Sequence, residues 1–392
     1  MSRRILFLAH RVPFPPDRGD RIRAFHLLKA LSTIGDLHIG ALSDEDVTPE
    51  QRLAMTDMSE SWHVARDAPS LPVAGLRAVG TGRPVSLTAF ASTSLKRWVA
   101  RTIAEHDIDT LFVFSGQMGQ YIPDYFEGRV VVDLCDVDSA KFAQYAREAG
   151  LVRAVMYRRE ARLLEAEERR LVTRADCTTL ISPEEAALLP GAPMTVLPNG
   201  VDADFFDPTK VEPEPALQDH SAYVFVGQMD YPPNAEAVRR FATHILPRLQ
   251  EKQAAQFHIV GRAPTAEVKA LGGDAAVTVW GGVPDVRPYL AAARAVVAPL
   301  MLARGVQNKV LEAMAMARPV LLSPEAATGI PLKEGVHATV CRDDEGFIDA
   351  ALDLHDTGAA ARAFVVERMS WEATYAQVRA LVEAVPDKRH AA

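Results

Sequence analysis

Residues 304–320 read Arg-Gly-Val-Gln-Asn-Lys-Val-Leu-Glu-Ala-Met-Ala-Met-Ala-Arg-Pro-Val and carry the strongest local signal in the chain. They follow a short apolar run that ends at Pro299, and their apolar spacing predicts a helix over residues 306–316. Gly305 lets the backbone approach a ligand closely, and the first N–H groups of a helix attract an anion. Lys309 adds a point charge suited to a diphosphate. The stretch therefore predicts a strand-to-helix turn that binds a phosphorylated ligand.

The same helix carries a carboxylate beside this cation. Glu312 lies three residues after Lys309, so the two side chains project from one face. A carboxylate there can accept hydrogen bonds from ribose hydroxyls, and Asn308 joins the set at the start of the helix. The alternative is an ordinary exposed Lys–Glu pair on an amphipathic helix.

Short apolar runs alternate with helical patterns on both sides of this stretch. Strand–helix alternation predicts an α/β fold with a doubly wound, Rossmann-like parallel sheet in each half of the chain. The predicted strands are 5–9, 37–42, 110–114, 130–134, 177–181 and 195–198, then 222–226, 256–260, 276–280, 295–299 and 319–322. The predicted helices are 22–31, 95–105 and 139–173, then 234–241, 283–292, 306–316 and 371–385.

A length of 392 residues suits two domains better than one core. Residues 207–220 contain three prolines and no periodicity, which predicts a linker. We therefore expect an N-terminal domain over 1–206, a C-terminal domain over 221–368, and a final segment, 369–392, whose helix returns to the first domain. Parallel sheets bind ligands beyond the carboxyl ends of their strands, so we expect the two domains to face a shared cleft.

Composition excludes several classes of protein. A net charge of −8 argues against a nucleic-acid partner. Three cysteines without a C-x-x-C pattern predict neither a disulfide framework nor a zinc site. The apolar run near the N-terminus is too short for a signal peptide, and no run approaches the ~18 residues that span a bilayer. We expect a cytoplasmic protein, and a peripheral contact with a membrane surface stays open.

The first strand is followed by an arginine-rich turn, residues 10–23. Gly19 allows the backbone to approach a phosphate, and we expect it to contact the same phosphorylated ligand as Lys309. Arg18 and Arg21 contribute to an anion-attracting mouth that predicts acceptor binding. The alternative is a solvated surface on which the arginines pair with acids. His10, at the end of the strand, is a candidate catalytic residue, although a lone histidine is more often structural.

Two carboxylates follow the strand predicted over 130–134. Asp136 and Asp138 could orient an acceptor hydroxyl or take its proton. The alternative is that Asp138 or Ser139 caps the next helix. We take Asp136 as a candidate catalytic residue and Asp138 as a candidate acceptor contact.

The second half of the chain resembles family-four glycosyltransferases with the GT-B fold. The resemblance rests on residues 311–320, with further agreement at 199–202, 225–234, 258–262, 279–289 and 370–372. That family marks its donor site with a Glu, seven residues, Glu pattern; Glu312 matches the second Glu, whereas Arg304 stands in place of the first. The resemblance implies that Glu312 holds the ribose and that Lys309 neutralises the diphosphate. Arg304 departs from the family pattern; we take it as a candidate catalytic residue that contacts phosphate or sugar hydroxyls instead. It also implies donor contacts at Gly227, Arg262, Gly282 and Val283.

The resemblance implies a glycosyltransferase that moves a hexose-type sugar from a UDP- or GDP-linked donor to a saccharide or polyprenyl-linked acceptor. It further implies retention at the anomeric carbon and no metal cofactor. Residues 10–23 and 132–139 look like bacterial sugar transferases associated with exopolysaccharide and exosortase (PEP-CTERM) systems. Two alternatives stay open: a sugar-nucleotide 2-epimerase of the same fold, and a sugar-nucleotide-binding protein whose catalytic site has decayed at Arg304.

Overall fold

The computed structural model describes residues 2–217, 222–303 and 305–384. Its strands are β1 (Arg3–Ala9), β2 (Gly35–Leu42), β3 (Ser61–Ala65), β4 (Thr110–Phe114), β5 (Arg129–Cys135), β6 (Cys177–Leu180), β7 (Thr195–Val196), β8 (Ala222–Val226), β9 (Gln256–Val260), β10 (Val277–Gly281), β11 (Ala295–Ala298), β12 (Val320–Leu322) and β13 (Thr339–Val340). Its helices are α1 (Gly19–Ser32), α2 (Pro49–Met58), α3 (Leu71–Thr81), α4 (Val85–Ala89), α5 (Thr93–Glu105), α6 (Asp138–Glu148), α7 (Leu151–Arg174), α8 (Pro183–Ala187), α9 (Pro232–Arg240), α10 (Leu246–Gln250), α11 (Ala266–Leu271), α12 (Arg287–Ala292), α13 (Asn308–Ala315), α14 (Pro324–Ala327), α15 (Asp344–Leu352), α16 (Gly358–Phe364) and α17 (Trp371–Glu383). Within the described ranges, no helix combines the length and the apolar character needed to cross a membrane.

The chain divides into two compact units. Unit 1 consists of Met1–Pro198 together with Tyr375–Ala392, and unit 2 consists of Asn199–Thr374. The greater part of α17, from Tyr375 onward, therefore belongs to unit 1, where Val378 and Val382 are fully buried in the core.

Unit 1 is built on one parallel sheet with the strand order β3-β2-β1-β4-β5-β6-β7. In the central strand β1, Ile5 pairs with Leu37 on one side and with Thr110 on the other. Leu6 and Leu8 pack in one hydrophobic cluster whereas Ile5 and Phe7 pack in a second, because alternate residues of a strand point to opposite faces. Helices cover both faces, which explains why the strand is apolar from Ile5 to Ala9.

Unit 2 repeats this arrangement with the order β10-β9-β8-β11-β12-β13. The strand order reverses between β8 and β11, and β8 is buried along its whole length. Ligands of doubly wound sheets bind beyond the carboxyl ends of the strands at such a reversal. The fold thus marks one edge of unit 2 as the place to look for a site.

Several predicted elements differ from the structure. The single helix predicted over 139–173 is two helices, because Ala149 and Gly150 adopt extended backbone between α6 and α7. The helix predicted over 283–292 begins only at Arg287, where the Asp285 side chain accepts a hydrogen bond from the Arg287 N–H. The edge strands β3 and β13 were not predicted, since one is partly polar and the other has two residues.

The predicted linker, 207–220, packs on unit 2 over its described residues. Asp207 forms an ion pair with Arg362 at 3.2 Å, and Leu217 is fully buried in the core of unit 2. The division between the units falls after Pro198.

Candidate functional site

The carboxyl edge of the sheet in unit 2 gathers the residues predicted to bind a donor. Gly227 follows β8, Arg262 comes two residues after β9, and Gly282 follows β10. The loop after β11 leads into α13 at Asn308. Because all these strands are parallel, their carboxyl ends lie at one edge of the sheet. The sequence prediction and the topology therefore agree on one edge.

Lys309, on the helix that follows β11, contacts β8 and the helix that follows β8. Its ammonium donates a hydrogen bond to Oδ1 of Asn234 at 2.5 Å and lies 5.0 Å from the centroid of the Phe225 ring. Phe225 is on β8 and Asn234, which is only 4% exposed, lies in the first turn of α9. The cation is thus held at the reversal between β8 and β11.

The charges of α13 are withdrawn from solvent without neutralising each other directly. Burial lowers the pKa of Lys309 to about 8, against the opposing influence of Glu312. Burial likewise raises the pKa of Glu312 to about 7, against the influence of Lys309. No ion pair joins the two side chains within the part of the chain that the structure describes. The exposed Lys–Glu pair considered as an alternative is therefore wrong, and the half-buried ammonium is suited to receiving an anion.

Two glycines set the spacing of the loops around Asn234. A Cβ atom on Gly261 would lie 1.6 Å from the carbonyl oxygen of Gly227, and one on Gly227 would lie 2.8 Å from Nδ2 of Asn234. That amide nitrogen donates to the carbonyl oxygen of Gln228 at 2.9 Å. Gly227 therefore has a packing role in addition to the donor contact predicted for it.

Asn234 and Gly261 were given no role by the sequence analysis. The available signal was a glycine directly after a buried strand, together with an asparagine at the start of the helix that follows the neighbouring strand. Only the fold brings the two loops together.

The other donor candidates line the same edge in different surroundings. Arg262 is exposed and donates to Oε1 of Gln228 at 3.1 Å, whereas Val283 is half-buried against the core. Gly305 has a φ of 62°, and Asn308 is exposed at the first position of α13. Arg304 lies outside the described residues.

Replacing Gly261 by alanine is expected to destabilise unit 2 by about 2–4 kcal/mol, because the new methyl group must displace backbone. The matched control is Gly282→Ala, whose Cβ would meet its nearest atoms, in Arg262, at an ordinary 3.6 Å. Urea unfolding followed by circular dichroism measures both. Equal stability of the two variants would contradict the close approach of the two loops.

In unit 1, the arginine-rich turn faces a cavity of about 680 Å³ whose lining includes His10, Arg11, Arg18 and Arg21. Asp20 lies within 2.8 Å of Arg11, 3.0 Å of Arg18 and 3.5 Å of His10. Hydrogen bonds from His10 and Arg11 and the charge of Arg18 hold the pKa of Asp20 well below its usual range, although burial opposes them.

Carboxylates therefore pair with most of the arginines in the turn predicted to attract anions. Arg21 forms an ion pair with Asp17 at 3.1 Å, so Arg11, Arg18 and Arg21 all have carboxylate partners. These three arginines share two carboxylates, and acceptor binding by Arg18 and Arg21 stays a prediction. Gly19 is the first residue of α1, and a Cβ atom there would meet nothing within 4 Å.

Arg23, counted with that turn, instead lies in the core. It is 1% exposed, and its guanidinium donates to both carboxylate oxygens of Asp133, at 2.7 and 3.0 Å, and to the carbonyl oxygen of Leu197 at 2.9 Å. Thr179 also donates to Asp133, at 2.9 Å. This buried network joins α1 to β5, β6 and the chain beyond β7, and it was not predicted.

His10 sits at the end of β1 against Phe90 and Phe114, with ring centroids 5.9 and 5.5 Å away. Its Nδ1 is buried and has no hydrogen-bond partner among the described residues. His10 and Asp136 follow strands β1 and β5, which are separated in the sheet by β4. The structure thus places both at the carboxyl edge of unit 1 without showing a contact between them.

Asp136 and Asp138 follow β5 in the order expected. Loss of solvent around its carboxyl group, then the charges of Glu185 and Asp138, raise the pKa of Asp136 to about 6, although the residue as a whole is exposed. Asp138 accepts a hydrogen bond from Gln117 at 2.6 Å.

The helix cap considered as an alternative is not formed by these residues. The residue at the N-cap position of α6 is Val137, and Glu168 accepts the hydrogen bond from the Ser139 N–H at 3.0 Å. Neither Asp138 nor Ser139 caps the helix.

Two parallel-sheet units of Rossmann-like strand order define the α/β class of two-domain nucleotide-binding folds. Residues 220–357 match the family model described as "Glycosyl transferases group 1", and we call this segment the group 1 domain. No curated protein matches the sequence. The matched domain supports a transferase enzyme.

Solved structures resemble almost the whole chain. Sucrose-phosphate synthase from Thermosynechococcus elongatus matches with a TM-score of 0.61 at 17% identity, covering 96% of this chain and 97% of that chain. HepE from Anabaena, in complex with UDP, matches with a TM-score of 0.64 at 15% identity over 96% and 98%. WaaG, a glycosyltransferase involved in lipopolysaccharide biosynthesis, matches with a TM-score of 0.60 at 15% identity over 97% and 100%. These likenesses confirm the predicted GT-B fold.

Proposed function

We propose that this chain transfers a hexose-type sugar from a UDP- or GDP-linked donor to a saccharide or polyprenyl-linked acceptor. We further propose that it acts in exopolysaccharide biosynthesis, as a family-four enzyme of the exosortase-associated kind. The match of the group 1 domain supports transfer from a nucleotide sugar. HepE, solved with UDP and with UDP-glucose, supports a uridine donor.

The observation that carries this proposal is the position of Lys309 in the group 1 domain. Its ammonium lies at the strand-order reversal, held by Asn234, with Glu312 one turn further along α13. Negative charge develops on the departing diphosphate during transfer, so a fixed cation there stabilises the transition state. Glu312 accepts hydrogen bonds from the ribose in this scheme, and Arg262, Gly282 and Val283 lie beside the base.

On the acceptor side, His10 and Asp136 are the proposed groups that orient or deprotonate the acceptor hydroxyl. Arg18 and Arg21, which share their charge with Asp20 and Asp17, are proposed to bind the acceptor with Asp138. We propose retention at the anomeric carbon without a metal ion, and a cytoplasmic location with peripheral contact at the inner face of the plasma membrane.

The donor affinity is expected to be greatest between about pH 7 and pH 8. As the pH rises through about 8, Lys309 loses its proton and with it the attraction for the diphosphate. As the pH falls through about 7, Glu312 gains a proton and becomes a poorer acceptor for ribose hydroxyls. Calorimetric titration with UDP and GDP across this range gives the profile. Glu312→Gln should lose the fall on the acidic side and keep the fall on the basic side; a profile that Glu312→Gln leaves unchanged would contradict this role.

The proposed function is tested by incubating the chain with UDP- and GDP-hexoses in the presence and absence of polyprenyl-linked saccharides. We expect a product whose formation needs the acceptor. Conversion of the donor to an isomer without any acceptor would identify an epimerase instead. Nucleotide binding without turnover on any pair would identify a binding protein. A parallel reaction with a chelator tests whether a metal ion is needed.

A further inference from the structure

The exposure of side chains along helix α3 is the reverse of that expected for a helix on a water-exposed surface. It buries only its small residues Ala74 and Ala78, while Leu71, Leu76 and Val79 are 71%, 78% and 74% exposed. A surface helix normally turns its large apolar side chains to the core. Leaving several of them together in water is unfavourable, so such a patch usually marks an interaction surface.

The first turns of α7 show the same inversion. Ala154 is buried, whereas Leu151, Val152, Val155 and Met156 are between 62% and 89% exposed. Together the two helices carry eight of the large apolar side chains that are exposed in the described parts of the chain. Hydrogen bonds from polar side chains of α7 hold the two helices near each other.

That connection is made by two consecutive residues of α7. Arg159 donates to the carbonyl oxygen of Ala78, in α3, at 3.0 Å and to that of Arg83, two residues after α3, at 3.3 Å. Glu160 accepts the N–H groups of Val85 and Ser86 at the start of α4. Val155 and Met156 lie one turn before Arg159, and Val79 directly follows Ala78. These hydrogen bonds hold the apolar stripe of α7 close to that of α3, and we call the two stripes together the α3–α7 patch.

The charge around the α3–α7 patch is opposite to that of the chain. The chain has a net charge of −8, but residues 69–84 contain two arginines and no acid. Residues 151–162 contain four arginines, and their one acid, Glu160, is 5% exposed and occupied by the start of α4. Arg77, Arg153, Arg158 and Arg162 are exposed around the apolar side chains. An apolar centre with a basic rim fits an anionic lipid surface.

Aromatic side chains border the same surface. The rings of Tyr145 and Tyr157 lie 5.9 Å apart, and Tyr145 is 39% exposed. Tyrosine is enriched at membrane–water interfaces because its ring is apolar and its hydroxyl polar. A second copy of this chain fits less well, because a self-complementary contact would bring one arginine rim against another.

We propose that the α3–α7 patch lies on the surface of an anionic phospholipid bilayer. The leucine, valine and methionine side chains enter the boundary between headgroups and acyl chains, and the arginines pair with lipid phosphates. This membrane-binding proposal rests on the proposed function in one respect: it gives a location on the chain to the membrane contact proposed there. It assigns that contact to α3 and α7 and not to the acid-paired arginines of residues 10–23.

The test is co-sedimentation of the full chain with vesicles of phosphatidylglycerol and phosphatidylethanolamine, and with vesicles of phosphatidylcholine. We expect binding to the anionic vesicles that weakens as salt is raised. The double variants Leu76→Ser/Val79→Ser and Val155→Ser/Met156→Ser should each lower the partition coefficient at least about tenfold. The control Leu53→Ser/Leu188→Ser changes two leucines of unit 1 that are also exposed, by 63% and 51%, but lie outside the patch, and should bind within about twofold of the native chain.

Absence of binding to anionic vesicles, equal binding to both kinds of vesicle, or equal loss in the control would overturn the proposal. So would a dimer that the patch variants dissociate in sedimentation velocity without any vesicle binding, since the occupant would then be a second copy. Calorimetric titration of the same variants with UDP and GDP keeps the two proposals apart. If the patch variants lose vesicle binding but keep their nucleotide affinity, the membrane-binding proposal is supported independently of the proposed function. If the native chain and all variants fail to bind nucleotide, that result bears only on the proposed function.

Discussion

Replacing Lys309 by methionine is expected to weaken the binding of UDP or GDP by about 10- to 100-fold, because a charge-assisted hydrogen bond to a diphosphate contributes about 1.5–3 kcal/mol. The half-buried ammonium is fixed by Asn234 and Phe225 at the carboxyl edge of unit 2, and no other lysine stands on α13. Calorimetric titration measures the affinity. The matched control is Lys252→Met, which removes the same charge from an exposed position in the same unit.

The stability of the Lys309 variant separates a lost site from a lost fold. Removing a half-buried ammonium whose pKa is lowered to about 8 is favourable at pH 7, whereas it leaves the buried Oδ1 of Asn234 without its donor. These effects oppose each other, so the variant should remain folded, with a free energy of unfolding close to the native value. Native affinity in the Lys309 variant, or equal loss in the Lys252 control, would contradict the role given to Lys309.

Replacing Arg23 by methionine is expected to lower the free energy of unfolding of unit 1 by about 3–5 kcal/mol, because it leaves the carboxylate of Asp133 buried without its counter-ion. Both side chains are at most 1% exposed. The double variant Arg23→Met/Asp133→Leu removes the stranded charge and should recover part of this loss.

Hydrogen exchange of peptides from β4 and β5 measures this effect in unit 1, with peptides from β8 and β9 as an internal reference. The matched control is Arg101→Met, which breaks the exposed pair with Glu105 and should cost less than about 1 kcal/mol. Equal losses in the Arg23 and Arg101 variants would contradict the structural importance of the buried pair.

The strands whose bounds could be predicted are three that are buried along nearly their whole length. The predicted bounds of β4, β8 and β9 are those of the structure, since runs such as Ala222–Val226 are apolar throughout and end at a turn residue. The edge strand β3 escaped prediction because Ser61 and His63 interrupt its apolar pattern. The break between α6 and α7 depends on the backbone at Ala149 and Gly150, and a single glycine inside a helical pattern does not specify it.

In the candidate site, too, the sequence identifies individual residues but not the distant residues that they contact. Lys309 and Glu312 could be selected from their local spacing, whereas the partner of Lys309 lies 75 residues earlier in the chain. Arg23 looked like part of an exposed basic turn, yet its partner Asp133 is 110 positions away on β5. Such pairs are created by strand order, which places distant loops at one edge of a sheet. Local patterns therefore identify the groups that carry charge but not whether each faces a ligand or another side chain.

The most direct test of the central claim is chemical labelling of lysines in the native chain, with and without UDP or GDP, read by mass spectrometry. An amine with a pKa of about 8 is partly unprotonated near neutral pH and reacts faster than an ordinary lysine. The account predicts that Lys309 is labelled early in the free protein and is protected by the nucleotide, while Lys252 is labelled equally in both samples. Labelling of Lys309 at the same rate with and without saturating nucleotide would contradict it.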